Sequence, residues 1–271
     1  MIEIVPLDKQ VDKTKISTVP KPPFTMMICA SKGGGKSTLI LNMLLNPNLL
    51  RDKFNEVYIM SPTASLDTKM SVLRNTDFLA KNRRLWNAIK RVKRRRQDIL
   101  SSNEPTEIVN FEDIPSHLTD ENYIDDLDLD ALESLIEKQK YTIEHFGKDT
   151  ANNVLVVMDD LASESNKMAG NRFKKLLFLS RHYKISMIII TQAYFAIPKS
   201  IRLNNSQLVL FETSNKKELD KIYEENNAGL SFNDFMKLYK ECVKDDYGFM
   251  VINYQVPKRF RFANQFKYFL S

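Results

Sequence analysis

The stretch FTMMICASKGGGKSTLILNMLL, residues 24–45, changes character twice. Residues 24–30 are a short continuous apolar run, the pattern of a parallel strand buried on both faces. Three of the seven glycines in the chain follow in a row, Gly33, Gly34 and Gly35, and Lys36 to Leu45 then read as a helix that breaks at Pro47. Strand, glycine loop and helix in this order are the context a phosphate-binding loop requires. Backbone N–H groups can converge on phosphate oxygens only where no Cβ intervenes, and the helix behind them adds its positive end. On this reading Ser31, Lys32, Gly33, Gly34, Gly35, Lys36, Ser37 and Thr38 cradle the phosphates of ATP. Lys36 reaches the β- and γ-phosphates, and the Ser37 hydroxyl ligates Mg²⁺. The usual G-x-x-x-x-G-K-[ST] pattern opens on glycine, where this chain has Ala30. Alanine suits a strand-to-loop turn as long as its φ stays negative.

The remaining strands and helices extend this start into an α/β fold. EVYIMSP (56–62), NVLVVMDD (153–160), ISMIIITQ (185–192) and QLVLFET (207–213) read as strands. Helical spacing runs through LDALESLIEKQKYTIEHF (129–146) and NRFKKLLFLSRHYK (171–184). Asn215 with Glu218, and Ser231 with Asp234, have the spacing of capping residues that open two later helices. YGFMVINYQVPKRFRFANQF (247–266) alternates around a polar break and predicts a closing hairpin. The expected architecture is a P-loop domain with a central, mostly parallel sheet flanked by helices, an inserted mixed-charge helical segment and a C-terminal hairpin. Its boundaries are an extended lead-in at 1–23 and the domain at 24–271, with the insertion at about 63–150.

In an open α/β sheet, the carboxyl end of a buried strand lies beside the phosphate loop. The end of LVVMDD therefore puts Asp159 where it can hold a Mg²⁺ shell, and Asp160 where it can polarise a water. The end of IIITQ brings a third polar tip, Thr191 and Gln192, to where a γ-phosphate would be sensed.

The composition bounds the remainder. A chain of 271 residues, 43% hydrophobic and 27% charged, buries one sizeable core. Forty basic against 34 acidic residues leave a net charge of +6, a mild excess that permits an anionic partner. Two cysteines give no disulfide framework and suit a reducing compartment. MIEIVPLDKQ at the N-terminus lacks a signal-peptide pattern, and no apolar run approaches the roughly 20 residues that span a bilayer. The expectation is a soluble intracellular protein without a membrane partner.

The succession of glycine loop, LVVMDD, SRHYKISMIIITQ and IPKSIRLNNSQLVLF resembles the FtsK/HerA-type DNA-pumping ATPases. In their pattern an arginine precedes a strand ending in Thr-Gln, and a segment like I-K-x-N follows. Here those positions hold Arg181, Thr191-Gln192 and Ile201-Arg202-x-Asn204. The wording is most similar to the genome-packaging ATPases of poxviruses, other large DNA viruses and virophages. Partition-type ATPases, whose extra lysine stands five residues before the main one, fit less well, because Lys32 precedes Lys36 by four.

The resemblance implies that the Thr-Gln strand lies between the phosphate-loop strand and the Asp159 strand. It implies ATP hydrolysis coupled to moving double-stranded DNA, with Mg²⁺, in a ring of five or six subunits. Lys36, Asp160, Gln192, Arg181 and Arg202 are then the catalytic candidates, and Ser37 and Asp159 hold the metal. Either arginine would act on a neighbour's site, although Arg181 equally fits a helix cap and Arg202 a DNA contact. Capsid or portal proteins are the implied partners, and the host cytoplasm, a virus factory or assembling virions the implied setting. Asp160 stands where many relatives carry glutamate.

Two readings come from other classes. A small-molecule kinase on the same loop would leave Thr191-Gln192 and the Ile201 segment unexplained, and a nucleotide-gated scaffold would not need Asp160. A basic run, KNRRLWNAIKRVKRRR (81–96), has nine Lys or Arg, and the residues from Gln97 to Glu137 have none. Contact with DNA phosphates, pairing with the acids at 124–130 and a solvated face all remain open for it. His117, His145 and His182 are far apart, with no cysteine at metal-ligand spacing.

Overall fold

The structure, a computed structural model, describes residues 16–62 apart from Pro47 and Asp52, and residues 122–270. Strand β1 (Thr25–Cys29) is buried along its whole length. Successive strand side chains point to opposite faces, so Met26 and Ile28 enter one core and Met27 and Cys29 another. On the first face, helix α1 (Lys36–Leu45) packs through Leu39, Ile40 and Met43. The second face is covered by α2 (Leu129–Phe146), α4 (Asn171–Ser180), α6 (Lys216–Asn226) and α7 (Phe232–Val243), which contribute Leu132, Phe173, Ile222 and Phe235. Each such side chain contributes roughly 1.5–3 kcal/mol relative to exposure. Burial on both faces is why the strand reads as a continuous apolar run. The short helices α3 (Ser165–Ala169) and α5 (Lys199–Arg202) complete the helical elements used below.

The other strands are β2 (Glu56–Met60), β3 (Tyr123–Ile124), β4 (Val154–Met158), β5 (Ile185–Thr191), β6 (Gln207–Phe211), β7 (Phe249–Asn253), β8 (Phe262–Asn264) and β9 (Tyr268–Phe269). Among the described residues they form one nine-stranded sheet in the order β3-β2-β4-β5-β1-β6-β7-β8-β9. Pairing is parallel from β3 to β6 and antiparallel from β6 to β9. The Thr-Gln strand β5 does lie between β1 and β4, as the resemblance implies. The closing hairpin is β7 with β8, pairing Met250 with Asn264. It begins at Phe249 rather than Tyr247, and β9 extends it.

Local rules account for most boundaries. Asn215 accepts from the Glu218 N–H and Ser231 from the Asp234 N–H, so both caps are made. Asp128 caps α2 by accepting from Asp130 and Ala131. Helix α4 stops at Ser180, earlier than its spacing predicts. Arg181–Tyr183 form a 3-10 turn, and Lys184, at φ 59°, reverses the chain into β5. Residues 1–15, the basic run at 81–96 and the rest of 63–121 lie outside the described residues. Beyond them, β3 pairs with β2, and α2 packs on the core through Leu132, Leu135 and Ile136.

Arg202 is corrected by its surroundings. Its side chain is 6% exposed and lies 2.7 Å from Glu225, which is equally buried. Nε and one terminal nitrogen of the guanidinium donate to the two Glu225 carboxylate oxygens, the other terminal nitrogen donates to the Ile197 carbonyl, and the group lies over the Tyr194 ring. Tyr194 also donates to Glu225, and Asn226 joins Tyr194 to Tyr254. A guanidinium whose fork is filled in this way cannot extend to a neighbouring subunit or to DNA.

Burial raises the affinity of Glu225 for a proton, yet the hydrogen bonds from Arg202 and Tyr194 outweigh it and hold the carboxyl below its ordinary value of 4.5. The pair's contribution is thus complete above that unfolded value and is lost as the pH falls through the lower folded one. Glu225→Ala leaves Arg202 buried without a counter-charge and should cost about 3–5 kcal/mol in urea unfolding. The variant should also lose part of the wild-type drop in stability below the carboxyl range. A cost under about 1 kcal/mol would show that water replaces Glu225.

Candidate functional site

The carboxyl ends of β4, β5 and β1 stand side by side. Cys29 pairs with Thr191 and Met158 with Ile189, so the residues leaving the three strands emerge at nearly one level. The phosphate loop leaves β1 there. Ala30 is not among the residues with positive φ, which meets the condition that alanine imposed at this turn. Gly34 donates its N–H to the Ser31 carbonyl, and a Cβ on it would lie 3.1 Å from that oxygen. Gly35, at φ 97°, occupies the left-handed region immediately before α1. A Cβ there would also lie 3.0 Å from Cδ1 of the Tyr247 ring. Ser31, Lys32, Gly33 and Thr38 are exposed at the loop's mouth, with Ser37 partly buried at the head of α1.

Lys36 folds back across the loop and donates from Nζ to the carbonyls of Ala30 at 3.0 Å and Ser31 at 3.3 Å. Burial lowers its pKa, and the nearby Asp159 and Asp160 oppose that shift without cancelling it. The ammonium is held at the loop by weak neutral acceptors and feels the charge of both carboxylates. A phosphate oxygen would be the stronger, charge-assisted partner.

Asp159 is buried at the end of β4, and its N–H donates to the Met60 carbonyl. Asp160 turns out of the strand at φ 54°, a conformation that aspartate tolerates better than bulkier residues. The Gln192 side-chain amide donates to Asp160 Oδ1 at 3.0 Å. Thr191 turns inward instead, accepting from the Ala193 N–H and donating to the Ala193 carbonyl.

The donor set suits Mg²⁺ held jointly with phosphates. That ion keeps several waters and takes only one or two carboxylates, which matches one hydroxyl, Ser37, and one buried carboxylate, Asp159. Among the described residues, no three His, Cys, Asp or Glu gather as an all-protein metal cage. Burial pushes the Cys29 and Cys242 thiols up to about 12, which favours their neutral form. His145 lies on α2 and His182 in the turn after α4, and His117 lies outside the described residues.

The structure separates the remaining candidates. Arg181 sits ahead of β5, at the amino-terminal edge of the sheet. A seven-residue strand puts that edge about 20 Å from the loop. Arg202 is committed to Glu225. Tyr247, whose ring rests on Gly35, was read only as the start of the hairpin. Its one local signal is a bulky residue wedged between Asp246 and Gly248.

The fold is shared with solved viral structures. Genome packaging NTPase B204 from Sulfolobus turreted icosahedral virus 2, in complex with AMPPCP, matches with a TM-score of 0.50 at 16% identity, covering 87% of this chain and 94% of that one. Its complex with AMP gives 0.50 at 14% identity, over 87% and 95%. At such identity the likeness is one of fold. Uncharacterized protein 075L of Invertebrate iridescent virus 6 is 28% identical over 130 residues, 48% of this chain and 49% of that protein. The chain thus spans about half the length of the relative it matches. The family described as poxvirus A32 protein matches residues 114–256, a stretch holding Asp159, Asp160, Arg181, Gln192 and Tyr247. With more than half of its length matched, the chain belongs to the poxvirus A32 protein family.

Proposed function

We propose that this chain hydrolyses ATP and uses the energy to move double-stranded DNA into a viral capsid. The hydrogen bond from Gln192 to Asp160 carries the reading. It joins the tips of β5 and β4 beside the phosphate loop and leaves one Asp160 oxygen for a water.

In this mechanism the backbone N–H groups of residues 33–38 receive the phosphates, and Lys36 exchanges the Ala30 and Ser31 carbonyls for β- and γ-oxygens. Ser37 and Asp159 would hold Mg²⁺, which when bound would supply neutralisation of the phosphate charge. Asp160 takes a proton from the attacking water as the water oxygen bonds to the γ-phosphorus and the bond to the ADP oxygen breaks. Gln192 fixes Asp160 and registers the departure of the γ-phosphate along β5. Arg181 lies a sheet's length from its own loop, too far to serve it, and would act on the site of a neighbour in a ring of five or six subunits. Capsid or portal proteins are the expected partners, and the infected cell, in cytoplasm or virus factory, the expected setting. The likeness of its fold to a genome packaging NTPase and its membership of the poxvirus A32 protein family support this reading. The +6 net charge permits a DNA partner.

Lys36→Ala should abolish turnover, because the loop loses its inward-folded charge. Asp160→Asn should bind ATP normally and hydrolyse it about 10² to 10⁴ times more slowly, as loss of a general base does. Weakened binding with unchanged turnover would recast Asp160 as structural. A further test measures ATPase activity with and without duplex DNA, and stimulation by DNA is expected.

Arg181→Ala should lower turnover by about 10³, the effect of losing an arginine supplied in trans. Mixing that variant with Lys36→Ala should restore part of the rate, since each Lys36→Ala subunit still offers Arg181 to an intact loop. A mixture as inactive as its components would remove Arg181 from the site.

A further inference from the structure

Tyr247 is unusual on three independent counts. It is 69% exposed although aromatic. Its backbone has φ 61°, a region that bulky side chains rarely enter. The ring nevertheless lies against the phosphate loop, with Cδ1 3.0 Å from where a Gly35 Cβ would stand. Strain of this kind persists only where the surroundings impose it. Here the turn on which Tyr247 sits is pinned at Gly248, whose N–H donates to the Asp245 carbonyl at 2.8 Å. A Cβ on Gly248 would lie 2.4 Å from the Cys242 carbonyl, so the close approach of the turn to the end of α7 requires glycine there.

The position relative to the catalytic groups gives the ring a role. Asp159, Asp160 and Gln192 lie on the β4 and β5 side of β1, where a γ-phosphate would point. A triphosphate laid across the loop therefore directs its nucleoside to the opposite side, toward β6 and β7. The antiparallel pairing of Phe249 with Phe211 returns the turn at 244–248 to this same edge of the sheet. Asp245 and Asp246, both exposed on that turn, repel phosphate and leave the turn suited to the uncharged end of a nucleotide.

We infer that Tyr247 is the stacking platform for the nucleobase, a nucleoside subsite beside the phosphate loop. This rests on the phosphate-loop reading and adds the residue that holds the base. An aromatic face stacks on any base and gives affinity without strict choice among them. The ring's close approach to Gly35 adds to the strain that the positive φ already puts on any side chain at that position.

The test compares ATP with inorganic tripolyphosphate, which has no base, by calorimetric titration of the full chain. Tyr247→Ala should weaken ATP binding roughly 5- to 150-fold, the range found for removing a base-stacking aromatic, with tripolyphosphate affinity unchanged. Tyr247→Phe should keep wild-type affinity for both. Tyr247→Gly, which suits the positive φ and so guards against misfolding, should lose ATP affinity as the alanine variant does while melting no lower than wild type. If Tyr247→Ala and Tyr247→Gly bind ATP as wild type does, the platform assignment is wrong and the loop reading stands. Equal loss of both ligands would make Tyr247 a support for the loop and also overturn the assignment. A wild-type chain that binds neither ligand would overturn the phosphate-loop reading itself, and this inference with it.

Discussion

The parallel pairing of β4, β5 and β1 is the constraint on which the other features depend. These strands are buried on both faces, and their register brings three loop-bearing ends to one level. A slip of one residue would exchange the two cores, because side chains alternate across a strand. It would also carry Gln192 away from Asp160 by about 3.3 Å, beyond hydrogen-bond reach. Packing and the meeting of the loop-bearing ends are therefore set by the same ladder of backbone hydrogen bonds.

The change of strand direction between β6 and β7 has its own consequence. A connection between parallel strands leaves one edge of the sheet and re-enters at the opposite edge, whereas an antiparallel partner brings its incoming turn back to the edge its neighbour has just left. The turn carrying Tyr247 reaches the phosphate loop for that reason. Behind this edge, the Arg202–Glu225 pair ties α5 to α6, and Tyr194 and Asn226 link it to Tyr254 just past β7. Charge buried there gives orientation to the polar groups around it at a cost in desolvation. Arg181 lies at the far edge of the sheet, free of such a network among the interactions described, and this separates two arginines whose sequence settings look alike.

Much of the fold was legible because its signals are local. Continuous apolar runs marked β1, β4 and β5, capping pairs marked α6 and α7, and the three glycines marked the loop between β1 and α1. Position along a strand placed Asp159 and Asp160, since a strand that ends beside the loop brings whatever follows it to the same place. The early stop of α4 was not legible in the apolar spacing, because Lys184 reverses the chain by adopting a left-handed conformation that lysine does not advertise.

What the sequence by itself determined was most of the core elements and the residues at their ends: a glycine loop at 31–38, paired acids after β4 and a glutamine after β5. The tertiary structure alone decided which side chains meet. Gln192 and Asp160 are 32 positions apart, and Arg202 and Glu225 are 23 apart. No local pattern favours one partner over another at such separations. Strand order and register select the partner, and they arise from burying both faces of the sheet at once, a condition that no single segment of the chain can satisfy alone.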